Sequence, residues 1–336
     1  MTCPTPTPLD AAQELRQQSR RYLRFLLGWG LLCVIVAFAH GAVTGSLPAK
    51  FWAFRCASDG YSPDHYLGYC ADAGYGSYEH QALYYPSEPA VVPHLKAAQV
   101  LFLGNSRAKI VFSTNSLIER FKAAGLAFYN LTFAGEFDTF PMAIIERFDL
   151  RPKVVVVNTD YFFYGQVQVF ARPILSGDRE PEIESRLKKF MQDRHVALCR
   201  DPKSALGGIL CEDQPSQYRD IRNGAVTYVN WPNQDQNDIQ PGAEFPEKQY
   251  PYFRQQAEAF RDKLRDRGSR LVLTYVPASG VVPEVAARLA KDLNIPLVMP
   301  QVEGLKTYDS HHLHPHSAER WAAAFMDLFI PFYQGN

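Results

Sequence analysis

Three polar residues in two distant segments could together carry out nucleophilic chemistry. The apolar residues 101–103 run into Gly-Asn-Ser106, so a serine hydroxyl follows directly after what reads as a buried strand. Asp309 precedes His312 by three positions, and a carboxylate at that spacing can orient the imidazole while its other nitrogen faces a nucleophile. Ser106 is therefore a candidate nucleophile, His312 a candidate general base and Asp309 a candidate orienting carboxylate.

Each half of this prediction has an alternative. A serine at the start of a helix is also a preferred N-cap, so Ser106 could serve only to begin one. Four histidines at 311, 312, 314 and 316 also suggest a metal site, because neutral imidazole is a common ligand. No second cluster of His, Asp or Glu in the sequence offers further ligands at recognisable spacing. We therefore predict chemistry by side chains alone, with no metal and no cofactor.

The elements that must position these residues are predicted to form a parallel α/β core. Short apolar runs predict strands at residues 100–103, 127–131, 153–157, 270–276 and 296–299. Helical spacing predicts helices at residues 116–124, 137–148, 182–198, 252–267, 283–293 and 315–332. The predicted fold class is α/β, a three-layer α/β/α sandwich with a mostly parallel sheet of flavodoxin-like type. Ligand sites in such folds lie in loops after the carboxyl ends of strands, which is where Ser106 falls.

Together these segments resemble the SGNH/GDSL hydrolase superfamily over residues 99–160 and 270–333. The resemblance rests on Gly-Asn-Ser106 after a strand, on Gly135 in the loop after the second strand, and on Asp309-x-x-His312 before the last helix. The run Asp-Ser-x-His-Leu-x-Pro is similar to envelope members related to alginate O-acetylation proteins and DltD. The resemblance to the superfamily implies that Ser106, His312 and Asp309 form a catalytic triad, with the backbone N–H groups of Ser106 and Gly135 in the oxyanion hole.

One block departs from the pattern of the superfamily. Its members have Gly-x-Asn-Asp after the third strand, and this chain has Val157-Asn-Thr-Asp-Tyr161. Asn158 is the predicted third oxyanion donor, although its offset differs, and Asp160 is an equally placed polar residue. Loss of one such donor costs about 2.7–4 kcal/mol of transition-state stabilisation.

The N-terminal residues predict export of the rest of the chain. No charged residue lies between Arg24 and Lys50, whereas arginines are frequent before that stretch. The positive-inside rule then predicts a cytoplasmic segment at 1–24 and one transmembrane helix at 25–44 that anchors the protein in the inner membrane. A cleaved signal peptide is the alternative, because Ala-Phe-Ala39 resembles a cleavage site.

Cysteine spacing subdivides the exported part. Two sequence-local disulfides are favoured, Cys56 with Cys70 and Cys199 with Cys211, since disulfides persist outside the cytoplasm. Residues 45–98 have little periodicity and predict an irregular, disulfide-pinned collar. Residues 99–336 then form the catalytic domain, with an insertion at about 161–248.

These features predict an envelope serine acyl-hydrolase or O-acyltransferase that acts on an ester of a cell-surface polysaccharide or glycolipid. Expected partners are an acyl donor, a carbohydrate acceptor or acylated glycan, and a membrane-bound acyltransferase. The 35 basic and 35 acidic residues balance, which gives no indication of nucleic acid binding. The alternative is a non-catalytic protein that binds polysaccharide or scaffolds an acylation complex. Aromatic residues that could stack on sugars, or simply pack, are Tyr161, Phe162, Phe163, Tyr164, Tyr228 and Trp231.

Overall fold

The structure is a computed structural model that describes residues 8–44, 56–71, 76–200, 211, 213–230, 236–240, 242 and 244–335. It divides into two compact units, Met1–Ala49 and Lys50–Asn336. In the first unit, helix α1 spans Pro8–Thr44 and so crosses the predicted boundary at residue 25 without a break. Within the described ranges no helix has both the length and the apolar content to cross a membrane, so the predicted transmembrane helix at 25–44 is unsupported.

The second unit contains the remaining described helices and strands. The helices are α2 Tyr78–Tyr84, α3 Val91–Ala97, α4 Ser106–Val111, α5 Asn115–Ala123, α6 Thr139–Arg147, α7 Arg172–Leu175, α8 Glu180–Cys199, α9 Tyr250–Asp266, α10 Pro283–Leu293 and α11 Pro315–Gln334. The strands are β1 His65–Cys70, β2 Gly76–Ser77, β3 Val100–Leu103, β4 Phe128–Asn130, β5 Val154–Asn158, β6 Ser216–Asp220, β7 Val226–Val229, β8 Asn237–Asp238, β9 Arg270–Thr274 and β10 Lys306–Thr307.

The central sheet has four parallel strands in the order β4-β3-β5-β9. Its strands are the four predicted from continuous apolar runs, and every residue of β3 and β5 is buried. The fifth predicted strand, at 296–299, was wrong: that segment makes only an isolated bridge between Leu297 and Leu273 of β9. Proline at 296 has no N–H to donate, so it interrupts the ladder there.

Alternate residues of the strands face opposite sides of this sheet. In β3, Leu101 and Leu103 belong to one hydrophobic cluster, and Val100 and Phe102 belong to another. The first cluster includes buried residues of α6, α9 and α10, and the second includes buried residues of α4, α5 and α11. Because side chains alternate along a strand, helices cover both faces and form a three-layer α/β/α sandwich.

A second sheet shows that the predicted collar is not irregular. It is antiparallel, with the order β2-β1-β6-β7. Strands β1 and β2, with helices α2 and α3, come from residues 45–98, whereas β6 and β7 come from the predicted insertion. The pairing of β1 with β6 joins residues about 150 positions apart, such as His65 and Asp220, and local periodicity does not reveal such a pairing.

Both predicted disulfides are confirmed. Cys56 is bonded to Cys70 with Cα atoms 5.7 Å apart, and Cys199 is bonded to Cys211 with Cα atoms 5.8 Å apart. The first bond links the end of β1 to the chain that precedes it, and the second fixes the end of α8. Cys33 is free and exposed.

Candidate active site

The nucleophile candidate lies where β3 passes into α4. Asn105, and not Ser106, is the N-cap of this helix: its side-chain oxygen accepts a hydrogen bond of 3.0 Å from the backbone N–H of Arg107. Ser106 is therefore the first helical residue, and its hydroxyl remains available for another partner. The alternative in which Ser106 serves only as the cap is wrong.

Gly104 allows this turn because it leaves room for two close approaches. Its φ is +150°, and a Cβ there would lie 2.6 Å from the Cβ of Ala108 and 3.1 Å from the Cβ of Asn158. A side chain at 104 would thus push α4 away from β3 and away from the end of β5. The glycine holds Ser106 at the carboxyl edge of the sheet.

The structure brings the three predicted triad residues together. The Nε2 atom of His312 lies 2.7 Å from the Oγ atom of Ser106, and its Nδ1 atom lies 2.6 Å from Oδ2 of Asp309. An ionised carboxylate only accepts, so Nδ1 carries the proton and Nε2 accepts from the serine hydroxyl. Asp309 also accepts backbone N–H bonds from His311 and His312 at 3.0 and 2.7 Å. This geometry suits proton removal from Ser106.

The electrostatic environment keeps Asp309 ionised and His312 neutral. Burial opposes ionisation of Asp309, but hydrogen bonds from the His312 side chain and from backbone N–H groups outweigh it and lower the pKa of Asp309. Burial lowers the pKa of His312; the bond with Asp309 opposes this shift, and the charge of Arg107 adds to it. A neutral imidazole is the form that can act as a base.

A short hairpin holds the histidine loop in position. Strand β10 pairs with β8, and Thr307 makes a bridge to Leu313, so residues 308–312 form the closed end of a loop. The backbone N–H of Tyr308 donates to the carbonyl of His312 at 3.0 Å, and the two rings stack with centroids 5.5 Å apart. The stacked ring restricts rotation of the imidazole.

The three other histidines do not join the triad. His311 and His316 are exposed, and His314 is the N-cap of α11, where its Nδ1 accepts a 3.4 Å bond from the N–H of His316. Among the residues with described coordinates, no group of three or more His, Cys, Asp or Glu side chains is arranged to hold a metal ion.

Gly135 lies in the loop after β4, and its part in an oxyanion hole stays a prediction. Gly135 is exposed and has a φ of +69°, a conformation that favours glycine, and a Cβ there would meet nothing within 4 Å. The loop is tied to the nucleophile turn because the N–H of Phe133 donates to the carbonyl of Gly104 at 3.1 Å. The start of α4 leaves the N–H of Ser106 without a partner inside the helix.

Asn158, the predicted third donor, lies at the end of β5 and is fully buried. Its Oδ1 accepts from the N–H of Val276 at 2.9 Å, and its Nδ2 has no hydrogen-bond partner among the described residues. Its part in an oxyanion hole stays a prediction.

Asp160 holds the residues on either side of Ser106. Its Oδ2 accepts from Nδ2 of Asn105 at 3.0 Å and forms an ion pair with Nη1 of Arg107. Nε of Arg107 in turn donates to the carbonyl of His311 at 2.9 Å. Arg107 thus connects the histidine loop to the segment after β5, where Asp160 lies. No role for Arg107 was predicted from the sequence, although its position directly after Ser106 could have indicated one.

A buried charge network lies beneath the site. Glu79 of α2 accepts from Lys109 of α4 at 2.5 Å and from Arg219 of β6 at 2.8 Å. Arg219 also donates to the carbonyls of Asn130 and Thr132, at 2.6 and 2.7 Å, at the start of the loop that contains Gly135. The second sheet therefore supports the nucleophile helix and the glycine loop.

The predicted sugar-stacking residues do not share one environment. Phe162 and Phe163 are buried in the core, where both pack edge-on against Phe260. Tyr161 is exposed next to the partly buried Tyr164. Trp231 lies outside the described residues.

Comparison with known proteins finds only weak similarity to solved structures. No family profile and no curated protein matches the sequence. Among solved structures, TesA is 12% identical, with 69% of this chain and 98% of that chain covered and a TM-score of 0.34. An acylhydrolase from Bacteroides fragilis is 12% identical over 70% and 86%, with a TM-score of 0.34. A GDSL-like lipase from Bacteroides thetaiotaomicron is 11% identical over 75% and 98%, with a TM-score of 0.35. At these scores the matches decide neither fold nor chemistry, which rest on the residues described above.

Proposed function

We propose that this protein is a serine acyl-hydrolase or acyltransferase that forms an acyl-enzyme on Ser106. The single observation that supports this function most is the continuous contact from Ser106 through His312 to Asp309, at 2.7 and 2.6 Å. A plain N-cap serine would have no need of a partly buried, neutral histidine at hydrogen-bond distance, itself oriented by a carboxylate.

In the proposed reaction, His312 Nε2 takes the proton of Ser106 as Oγ attacks an ester carbonyl. The tetrahedral oxyanion receives hydrogen bonds from the backbone N–H groups of Ser106 and Gly135. The imidazolium, stabilised by Asp309, then gives its proton to the leaving alcohol. Water completes a hydrolysis, whereas a second hydroxyl completes an acyl transfer.

The acceptor or leaving group in this proposal is a cell-surface polysaccharide or glycolipid, as in envelope members related to alginate O-acetylation proteins and DltD. Two disulfides in the catalytic unit support a location outside the cytoplasm, where such bonds persist. A membrane-bound acyltransferase would be the partner that supplies the acyl group.

A second candidate function is a non-catalytic polysaccharide-binding or scaffolding component. It is favoured by the end of β5 and the segment after it: Asn158 is buried, and Asp160, which only accepts hydrogen bonds when ionised, lies next to the nucleophile turn. Without a side-chain donor from this segment, only the backbone N–H groups of Ser106 and Gly135 would be left to bind an oxyanion.

A fluorophosphonate separates the two candidates, because it reacts only with an activated serine. Incubation with the purified protein, followed by peptide mass spectrometry, should find the adduct on Ser106 in wild type and on no serine of His312→Ala. Ser113, which donates to the carbonyl of Lys109 in α4, is the internal control and should remain unlabelled. Absence of an adduct on wild-type Ser106 would establish the non-catalytic candidate instead.

A further inference from the structure

The residue after Gly135 is a buried glutamate that the proposed mechanism does not use. Glu136 lies in the loop between β4 and α6, and its side chain is fully buried. Neither of its carboxylate oxygens makes a hydrogen bond to a described residue. Burial of a carboxylate without partners is costly, and glutamate side chains are mostly exposed. A compensating interaction must therefore act on Glu136.

His80 of α2 supplies that interaction. Its Nε2 atom lies 3.5 Å from Oε1 of Glu136, and both side chains are inaccessible to solvent. An ionised carboxylate only accepts, so the ring nitrogen that faces it must carry a proton. The distance is that of an ion pair and is longer than a hydrogen bond, and hydrogen bonds at active sites are often long before substrate binds. The two groups attract each other strongly because both are buried.

The ring of His80 is itself held in place. Its Nδ1 atom lies 2.8 Å from Oγ of Ser77, the N-cap of α2, whose side chain makes no capping bond to the described backbone. Three aromatic rings pack against the imidazole, with centroids 4.8, 5.2 and 5.6 Å away; they belong to Phe133, Phe140 and Phe170. The hydrogen bond and the ring packing together fix the direction of Nε2.

His80 contacts both ends of the turn that contains Gly135. The N–H of Glu136 donates to the carbonyl of Phe133 at 3.5 Å, so residues 133–136 form a β-turn. Gly135 is its third residue and has a φ of +69°, and a positive φ at that position is a property of type II turns. The imidazole packs against Phe133 at the start of the turn and faces Glu136 at its end. The contact thus determines where the backbone of Gly135 lies.

We propose that His80 and Glu136 are positioning residues for the oxyanion hole: their contact holds the turn so that the backbone N–H of Gly135 faces the oxyanion that forms at Ser106. The inference rests on the proposed function, which supplies the role of Gly135. Neither side chain touches the reacting atoms. Loss of the contact should therefore leave substrate binding intact and weaken only the stabilisation of the transition state.

Two variants of similar side-chain volume separate the polar contact from packing. Glu136→Gln keeps an oxygen that can accept from Nε2 of His80, whereas Glu136→Met fills the space without such an acceptor. Glu88 is the matched control, because it is also a buried glutamate paired with a cation, Lys189 at 3.0 Å, and it lies between α2 and α3. Urea titration gives the folded fraction of each variant, and kcat and KM are measured with p-nitrophenyl acetate.

We expect Glu136→Met to lower kcat on the order of 10²-fold with KM within about twofold, because a misplaced donor affects only the transition state. Glu136→Gln should keep kcat within about threefold of wild type, and Glu88→Met within about twofold. His80→Phe keeps the ring packing and removes Nε2, so it should resemble Glu136→Met and gives the same comparison if Glu136→Met does not fold. The double variant should be little worse than either single one, because the two residues act through one contact.

Equal kcat values for Glu136→Gln and Glu136→Met would overturn the inference, as would a change in KM alone. A loss of kcat in Glu88→Met as large as the loss in Glu136→Met would also overturn it, since general destabilisation would then be the cause. Fluorophosphonate labelling of wild-type Ser106 separates these results from a failure of the proposed function. A labelled, active wild type with equal variants removes the inference alone, whereas an unlabelled, inactive wild type removes the proposed function and the inference with it.

Discussion

At the scale of single residues, Ser106 and His312 should act as one unit, because the proton that leaves Oγ is accepted by Nε2. Ser106→Ala and His312→Ala should each lower kcat for a small activated ester on the order of 10⁶-fold, and the double variant should be little worse. Asp309→Asn should be milder, on the order of 10⁴-fold, since the carboxylate orients the base and forms no covalent bond.

The neighbouring histidines are the controls for this prediction. Alanine at His311, His314 or His316 should leave most activity, because only His312 contacts Ser106. His311 uses its backbone carbonyl with Arg107, and alanine retains that group. A loss at His314→Ala equal to the loss at His312→Ala would show that the base is assigned to the wrong residue.

The acidity of His312 gives a second prediction at this scale. Its pKa is lowered by burial, so the imidazole stays neutral to lower pH, and kcat/KM should reach half its maximum below the ordinary histidine value of about 6.5. Asp309 raises this pKa and Arg107 lowers it. NMR titration of the imidazole should therefore show a further decrease in Asp309→Asn and an increase in Arg107→Ala. A half-maximum at or above 6.5 in wild type contradicts the assignment.

At the scale of elements, the Glu79 network joins the second sheet to the nucleophile helix. Burial raises the pKa of Glu79, but the charges of Lys109 and Arg219 outweigh it and lower the pKa to about 2. The carboxylate is therefore ionised at neutral pH between two buried cations. Its stabilising effect is present above the unfolded pKa of about 4.3 and is lost as the pH falls towards 2.

Removing that carboxylate should be costly for folding. Glu79→Ala leaves Lys109 and Arg219 buried without their counter-charge and should reduce the free energy of unfolding by about 3–5 kcal/mol, measured by urea titration at neutral pH. Glu146→Ala is the control, because its 3.1 Å pair with Lys263 is solvent-exposed and should contribute about 0–1 kcal/mol. Equal losses in the two variants would mean that the network does not support α4.

Some of these elements could be predicted from the sequence, and others could not. The four central strands were predictable because each contains a short run of buried apolar residues, and the triad because its residues follow recognisable turns. The second sheet was not, because β1 and β6 are far apart in sequence and β6 contains the buried Arg219, a residue that reads as exposed. Arg107 and Asp160 were not assigned roles because their contact depends on how two strands lie side by side.

At the scale of the whole molecule, both disulfides lie in segments that contribute to the second sheet or to α8, and none lies in the central parallel sheet. The first closes a loop with a sequence separation of 14, a length for which a disulfide stabilises a protein by about 3 kcal/mol. Because disulfides persist in an oxidising compartment, the support that the second sheet gives the nucleophile helix would be greatest there, which is a link between the site and the location of the protein.

That link gives the last prediction, which concerns the compartment. A reporter active only in the cytoplasm, fused after Asn336, should be silent, and a reporter active only after export should be active. Alkylation of the denatured, unreduced protein from cells should modify Cys33, which is free, and should leave the four paired cysteines unmodified until reductant is added. Cys33 is the internal control for reagent access. Cytoplasmic reporter activity together with alkylated Cys56 and Cys70 would place the catalytic unit inside the cell, and the cell-surface ester would then no longer be an accessible substrate.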